Sequence, residues 1–201
     1  MPLELERLVG DVEWAKAQRL PARELVPMLR RLVAAAPEGS PERHRARRDL
    51  AEQVLPTNPW QAARLARDVL RGAEDDRAYG VLGLAHTLLG NYRAAARAYR
   101  QGLALAPGTP EYEHNLGHLL DVAFNRPLAA LPHLRRALSA LPAEAEIESS
   151  LAHALVRAGR LEEGEKHLRS AVGNDSERVR DILAQWVASS SGANPSSDTR
   201  R

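Results

Sequence analysis

Residues 78–107 read AYGVLGLAHTLLGNYRAAARAYRQGLALAP, and their periodicity predicts two helices joined by a tight turn. Tyr79, Leu82 and Leu89 stand at the spacing of one helix face, with Gly83 beside Leu82. Gly90-Asn91 marks the break, and Asn91 is placed to cap the second helix. That helix carries Tyr92, Ala95, Tyr99, Leu103 and Leu105 before Pro107 ends it. Small Gly83 and Ala95 predict close approach of the pair, with Tyr79, Leu82 and Tyr99 filling the space around them. One hairpin cannot bury its apolar face alone, so further hairpins must stack on it.

Tyr79, Leu82-Gly83, Gly90, Tyr92, Ala95, Tyr99 and Pro107 resemble the pattern of the tetratricopeptide repeat, a helix–turn–helix unit of about 34 residues. The resemblance is close over residues 76–174 and loose over residues 3–75. It implies an all-α fold, a right-handed α-solenoid of about five hairpins followed by a C-terminal capping helix. The resulting partition is 1–75 for degenerate helix pairs, 76–174 for three well-matched repeats, 175–188 for the cap and 189–201 for a disordered tail.

Working outward toward the N-terminus, Ser40-Pro41 and Asn58-Pro59 each combine a capping residue with proline at the first helical position. They predict helices over about 41–54, with Leu50 and Leu55 apolar, and 59–71, with Trp60, Ala63, Ala66 and Leu70. Before them, Pro2 opens a helix with Leu5, Leu8, Val9, Val12 and Ala15 on one face. A second helix over about 21–36 turns Leu25, Leu29 and Leu32 inward. Its segment PMLRRLVAAAP recurs 105 residues later as PHLRRALSALP, close to three repeat lengths. Each copy places a proline inside a helix, Pro27 and Pro132, where a kink or a late helix start is expected.

Toward the C-terminus, Thr109-Pro110 opens a fourth repeat that keeps Leu116-Gly117, Ala130, Ala137 and Pro142, with one residue inserted around 124–127. A fifth keeps Leu151-Ala152, Gly159, Leu161, Leu168 and Ala171, but has Gly164 where alanine is usual. Ser176 then caps a helix with Val179, Ile182, Leu183, Trp186 and Val187 on its apolar side. Terminal repeats need such a polar-backed cover. The run SSSGANPSSDTRR is too polar to pack.

The composition narrows the function. With 44% hydrophobic residues but one Phe, the chain favours helix over strand, and a net charge of +2 demands neither nucleic acid nor a membrane surface. It has no cysteine, so disulfides and thiolate metal sites do not arise. The acidic N-terminal stretch does not suit a signal peptide, and no run approaches the roughly 18 apolar residues of a membrane span. A cytoplasmic protein is expected.

Three clusters invite a chemical reading. His114 and His118 lie four apart on one helix and could hold a metal with Glu111, Asp121 or His153. No HExxH accompanies them, and the resemblance places them simply on the groove lining; a metal-binding protein or metal-dependent enzyme is the competing class. His86 falls at a packing position. The basic run ERHRARR at 42–48 is bracketed by Glu42 and Asp49 and lacks an aromatic to stack a base, which fits a solvated helix face. Arg93, Arg97 and Arg100 form a stripe on the outer, convex side. No nucleophile elbow, phosphate-binding glycine loop or paired-carboxylate signature is present.

What remains is the groove. The resemblance implies that the first helix of each pair lines a concave face gripping a peptide or partner helix. Carried over by position, that face holds Arg45, Arg48, Glu52, Arg77, Leu84 and Thr87. It continues through Glu111, His114, His118 and Asp121 to Glu146, Ser149, His153 and Arg157. The lysine–asparagine clamp of chaperone-tail receptors is missing, since Gly80 and Leu84 occupy its positions. The expected function is a non-catalytic adaptor, scaffold or assembly factor without a cofactor. Arg45, Arg48 and Arg77 toward one end, and Glu111, Asp121 and Glu146 toward the other, predict a partner segment that offers basic residues to the fourth and fifth repeats. The nearby carboxylates are expected to ease histidine protonation, weakening that contact below about pH 6.5. A third reading is a structural protein that self-associates through an end or the convex side.

Overall fold

The computed structural model describes residues 3–191, which contain eleven α-helices and no strand. The chain divides at Pro107/Gly108 into two compact units. The first holds α1 (Leu3–Ala17), α2 (Ala22–Ala35), α3 (Pro41–Val54), α4 (Pro59–Leu70), α5 (Asp76–Leu88) and α6 (Tyr92–Leu105). The second holds α7 (Pro110–His118), which runs on into a π-turn at Leu119–Ala123, then α8 (Pro127–Ala140), α9 (Ala145–Arg157), α10 (Leu161–Val172) and α11 (Ser176–Ser191). Within each unit every helix packs on the next in sequence, the layering of an α-solenoid. Among the described residues no helix is long and apolar enough to cross a membrane.

Local chemistry sets several of the helix ends. Ser40 accepts from the Arg43 amide at 3.2 Å and Asn58 from the Gln61 amide at 3.0 Å, so both expected caps form. Asp75 does the same for α5, accepting from the Ala78 amide at 2.8 Å. Two expected caps do not. Asn91 makes no side-chain cap bond, and at α11 Asp175 replaces Ser176, accepting from the amides of Glu177 and Arg178. Gly90 and Gly159 take positive φ, +72° and +78°, in the turns between α5 and α6 and between α9 and α10. Asn125, with φ +53°, does this between α7 and α8, as one of the few other residues that tolerate the left-handed region. Pro27 and Pro132 sit at the sixth position of α2 and α8, and neither helix starts late.

The first unit closes around Leu5, Leu8, Val12, Leu25, Leu29, Leu32, Leu50, Val54 and Val69. The inward face of α5 differs from the expected one: Ala78, Val81, Gly83 and Ala85 are buried, while Tyr79, Leu82 and Leu89 are half-buried. A methyl group on Gly83 would lie 2.5 Å from the ring of Tyr99, which is fully buried in α6. The glycine therefore permits the close approach of α5 and α6. Gly117 serves α7 and α8 in this way against Leu134. In the last pair the small residue changes sides, with Gly164 of α10 against Val156 and the Ala152 carbonyl of α9.

The π-turn accounts for the inserted residue. Its register places the insertion at 119–123, inside the helix, and not in the loop at 124–127. There the Phe124 amide donates to the Leu119 carbonyl at 3.0 Å, one residue beyond the α-helical partner.

α11 covers the end of the second unit. Val179 and Leu183 are buried against Ala152, Val156 and Leu168, with Ile182 and Trp186 packed beside them. Val187, expected inward, is 43% exposed. The helix runs three residues past its expected end at 188, and the rest of the expected tail, 192–201, lies outside the described residues.

Candidate functional site

In the first unit the candidate groove residues are joined to acids on neighbouring helices. Arg48 donates to Asp75 at 2.8 Å, and Arg77 grips Glu52 through two bonds of 3.1 and 2.7 Å. Lys16 of α1 reaches the buried Asp49 at 2.7 Å. Burial alone would lower the Lys16 pKa, but the bond and charge of Asp49 raise it. For Glu52 burial dominates, pushing its carboxyl up against the opposing pull of Arg77. Arg45 is exposed and bonds only its own helix neighbour Glu42, at 3.2 Å. Leu84 packs half-buried against the core, and the Thr87 hydroxyl donates to the Gly83 carbonyl at 3.0 Å. The expected positive end of the groove is thus largely neutralised from within.

The basic run 42–48 is likewise held by acids, since Arg43 and Arg47 both reach Glu38, at 2.9 and 2.8 Å. His86 is half-buried with its Nδ1 unpaired, and burial, aided by the charge of Arg67, lowers its pKa.

The second unit gathers its candidates between the first helices of its pairs, α7 and α9. Asp121, at the π-turn, is 2% exposed. Its carboxylate accepts from His153 Nδ1 at 2.5 Å and from Arg157 Nη1 at 2.8 Å. The same guanidinium donates to the Asp121 backbone carbonyl at 2.6 Å and to the Asn125 side chain. A π-turn displaces the regular hydrogen-bond ladder, and Arg157 takes the carbonyl left over. His153 meets Trp186 of α11 edge-on, with ring centroids 5.0 Å apart. Asp121 therefore clamps α7 to α9, and the open acidic charge expected of it from the sequence is not presented.

Nearer the start of these helices, His114 Nε2 lies 2.9 Å from Ser150 Oγ. The serine next to the expected Ser149 makes the bridge; Ser149 itself is half-buried. His118 is exposed, its ring 6.3 Å from that of His114. Burial lowers the His114 pKa, with His118 adding to the effect and Glu146 opposing it. His118 is lowered too, by burial first and by His153, against Asp121 and Glu146; its exposed side chain tempers that shift. These directions reverse the expected easing of protonation. Glu111 and Glu146 are exposed on α7 and α9, and among the described residues neither has a salt-bridge partner.

No three of His, Asp and Glu among the described residues converge as metal ligands. Asp121 is committed to His153 and Arg157, and His114 to Ser150. The pair His114/His118 thus lacks the third ligand that the metal reading needs.

Two further fasteners lie within the repeats, and the sequence reading missed them. Glu113 of α7 accepts from His133 at 2.5 Å and from Arg136 at 2.6 Å, both on α8. Burial raises its pKa, but these bonds outweigh burial and hold it below the ordinary carboxylate value. Glu148 of α9 accepts from His167 at 2.5 Å and Ser170 at 3.1 Å, both on α10. The available signal was phase: Glu113 follows Tyr112, and Glu148 follows Ile147, on faces that turn inward.

Residues 76–109, which span α5 and α6, match the tetratricopeptide repeat, and so do residues 122–185, which end within α11. No curated protein matches the sequence. Several solved structures are similar. A crystal structure of MamA superimposes with a TM-score of 0.68 at 16% identity, covering 92% of this chain and 96% of that one. MamA from Desulfovibrio magneticus RS-1, residues 41 to the end, gives 0.64 at 22% identity, covering 79% and 92%. YrrB, described as a TPR protein with an unusual peptide-binding site, gives 0.63 at 18% identity, covering 74% and 78%. At these identities the likeness establishes fold. Both repeat matches fall on helices built above, so the chain carries tetratricopeptide repeats at residues 76–109 and 122–185.

Proposed function

We propose that the chain is a non-catalytic, cytoplasmic adaptor that binds a protein or peptide segment bearing basic residues, and that the first-helix face of the second unit is its contact surface. One observation carries this reading: Glu111 and Glu146 stand exposed and unpaired on two helices that the Asp121–His153–Arg157 clamp holds in fixed register. Fixed, unneutralised charge is what sets partner register and speeds encounter. The peptide-binding site attributed to YrrB supports a peptide as the kind of partner. His114, His118 and Ser149 complete the surface, while Asp121, His153 and Arg157 position it. In the first unit Arg48 and Arg77 are already paired across helices, and Arg45 is held only by its own helix neighbour Glu42.

The test is fluorescence anisotropy with a labelled lysine- and arginine-rich decapeptide. Glu111→Gln/Glu146→Gln should weaken binding by about three- to tenfold, the scale of two exposed ion pairs. Added salt should weaken the wild type and have less effect on the variant. Since His114 and His118 are depressed, they stay neutral until the pH drops below the ordinary histidine value of about 6.5. Acid weakening of binding should therefore begin below that value. Unchanged affinity in the folded double variant refutes the surface.

A further inference from the structure

We propose that the second helices of the first unit carry a separate docking surface, centred on α2 and α4, for an acidic peptide segment. The charge distribution carries the proposal. α2, α4 and α6 together hold eight arginines and no lysine against two acids, Glu24 and Asp68. The first helices of this unit, α1, α3 and α5, hold seven cations against eight acids. The positive charge of the unit is thus segregated onto its second helices.

Most of those arginines are also open, although Arg23 lies 3.6 Å from its neighbour Glu24. Among the described residues Arg30, Arg64, Arg93, Arg97 and Arg100 have no acidic partner. Arg67 spends only its Nε, on the Ala63 carbonyl at 3.2 Å. This contrasts with Arg43, Arg47, Arg48 and Arg77 on the first helices, each of which is bonded to a carboxylate. Charges kept exposed and unpaired on one layer, beside a layer of neutralised ones, are available to an outside partner.

The surface has shape as well as charge. Two depressions of about 520 and 550 Å³ adjoin through Asn58 and Gln61 at the start of α4. Arg23 and Arg30 of α2 border one of them, and Arg64 and Arg67 of α4 the other. Trp60, 65% exposed, lies in the second. Arg23 and Arg30 are two helical turns apart, roughly 10 Å along α2, a length that an extended segment covers in about three residues. Guanidinium groups match carboxylates through two parallel bonds, and the indole offers an apolar platform beside them. Asn58 and Gln61 supply amide groups for the backbone of the bound segment.

A carboxylate-bearing peptide fits better than a nucleic-acid strand. Strand binding draws on a row of aromatic platforms and a strongly positive protein. Here one tryptophan lines the depressions, and the whole chain carries only +2.

The experiment uses the full chain with two fluorescent probes, a glutamate- and aspartate-rich dodecapeptide and a dodecamer of single-stranded thymidylate. Anisotropy should show saturable binding of the peptide. Arg30→Gln/Arg64→Gln/Arg67→Gln should weaken it about tenfold, as expected for three exposed charge contacts. Trp60→Ala should weaken it as well, and peptide binding should quench tryptophan fluorescence in the wild type but less in that variant. All three arginines are exposed, and far-ultraviolet circular dichroism checks that the triple variant is folded. The comparison triple is Arg93→Gln/Arg97→Gln/Arg100→Gln on α6, outside the depressions, and it should cost less than the α2–α4 triple. Equal losses from the two triples overturn the site in favour of a diffuse field. Absence of peptide binding, or tighter binding of the oligonucleotide, overturns the acidic-peptide assignment.

Discussion

Replacing Gly83 by alanine tests the packing on which the central hairpin depends. The added Cβ would lie 2.5, 2.7 and 2.8 Å from Cε1, Cδ1 and Cζ of Tyr99. The ring is 1% exposed, so it has no open side toward which to swing. Restoring an ordinary contact of about 3.5 Å requires α5 and α6 to part by roughly 1 Å. Overpacking of this kind costs about 1–3 kcal/mol. Alanine returns about 1 kcal/mol through helix propensity, so the net effect lies between near neutrality and a loss of about 2 kcal/mol. The proper reference is Gly10→Ala in α1, where a methyl group meets nothing within 4 Å and the propensity gain stands alone. The two variants should differ by about 1–3 kcal/mol, a separation of several degrees in melting midpoint by circular dichroism. In a Tyr99→Leu background the cost of Gly83→Ala should shrink, because the clashing atoms are gone. If Gly83→Ala melts at or above Gly10→Ala, the argument from helix approach fails.

Truncation before Ser176 uncovers Val156 and Leu168 by removing Val179 and Leu183, each worth about 1.5–3 kcal/mol. It should lower the melting midpoint markedly or cause aggregation, whereas removing only residues 192–201 should do neither; like behaviour of the two truncations refutes a capping role. Asp121→Ala leaves Arg157 and His153 without their carboxylate and should cost about 3 kcal/mol in a denaturant titration, against less than 1 kcal/mol for the exposed Glu111→Ala. Burial pushes the Tyr99 hydroxyl up to about 12, from 10 in the unfolded chain. A raised folded-state value means stability that is complete below pH 10 and is lost as the pH climbs toward 12, by about 3 kcal/mol. Tyr99→Phe should flatten that alkaline slope, and an unchanged slope removes Tyr99 as its source.

The sequence revealed what local chemistry decides. Ser40-Pro41 and Asn58-Pro59 start helices because cap and proline act within one turn, and Gly83 and Tyr99 mark a hairpin because repeat spacing brings them together. Asn91 and Ser176 show the limit of such reasoning: a capping residue type offers a bond, and the backbone around it decides whether the bond forms. The inward face of α5 was misassigned because size was taken for burial. A tight contact selects Ala78, Gly83 and Ala85, leaving the bulky Tyr79 and Leu82 at the margin. The candidate surface was read at the level of helices, but its pairings were not legible. Asp121 finds its partners 32 and 36 residues away, and Glu113 finds its partners 20 and 23 away, on helices whose rotation no local pattern specifies.

Those pairings decide which charges can recognise anything. To engage Asp121, a partner would first have to displace His153 and Arg157 from a carboxylate that is 2% exposed. Breaking a buried pair of this kind costs about 3–5 kcal/mol, more than an exposed contact with the partner returns. Glu113 is protected in the same way by His133 and Arg136, and Arg77 in part by Glu52. Counting charges along the first helices therefore overstates the field that a partner meets. The charges left exposed and unpaired, and so available to a partner, are Glu111 and Glu146 in the second unit and most arginines of α2, α4 and α6 in the first. The paired set keeps the helices in register, and that rigidity would let the unpaired set discriminate, because a charge carried on a fixed helix has less freedom to suit the wrong partner.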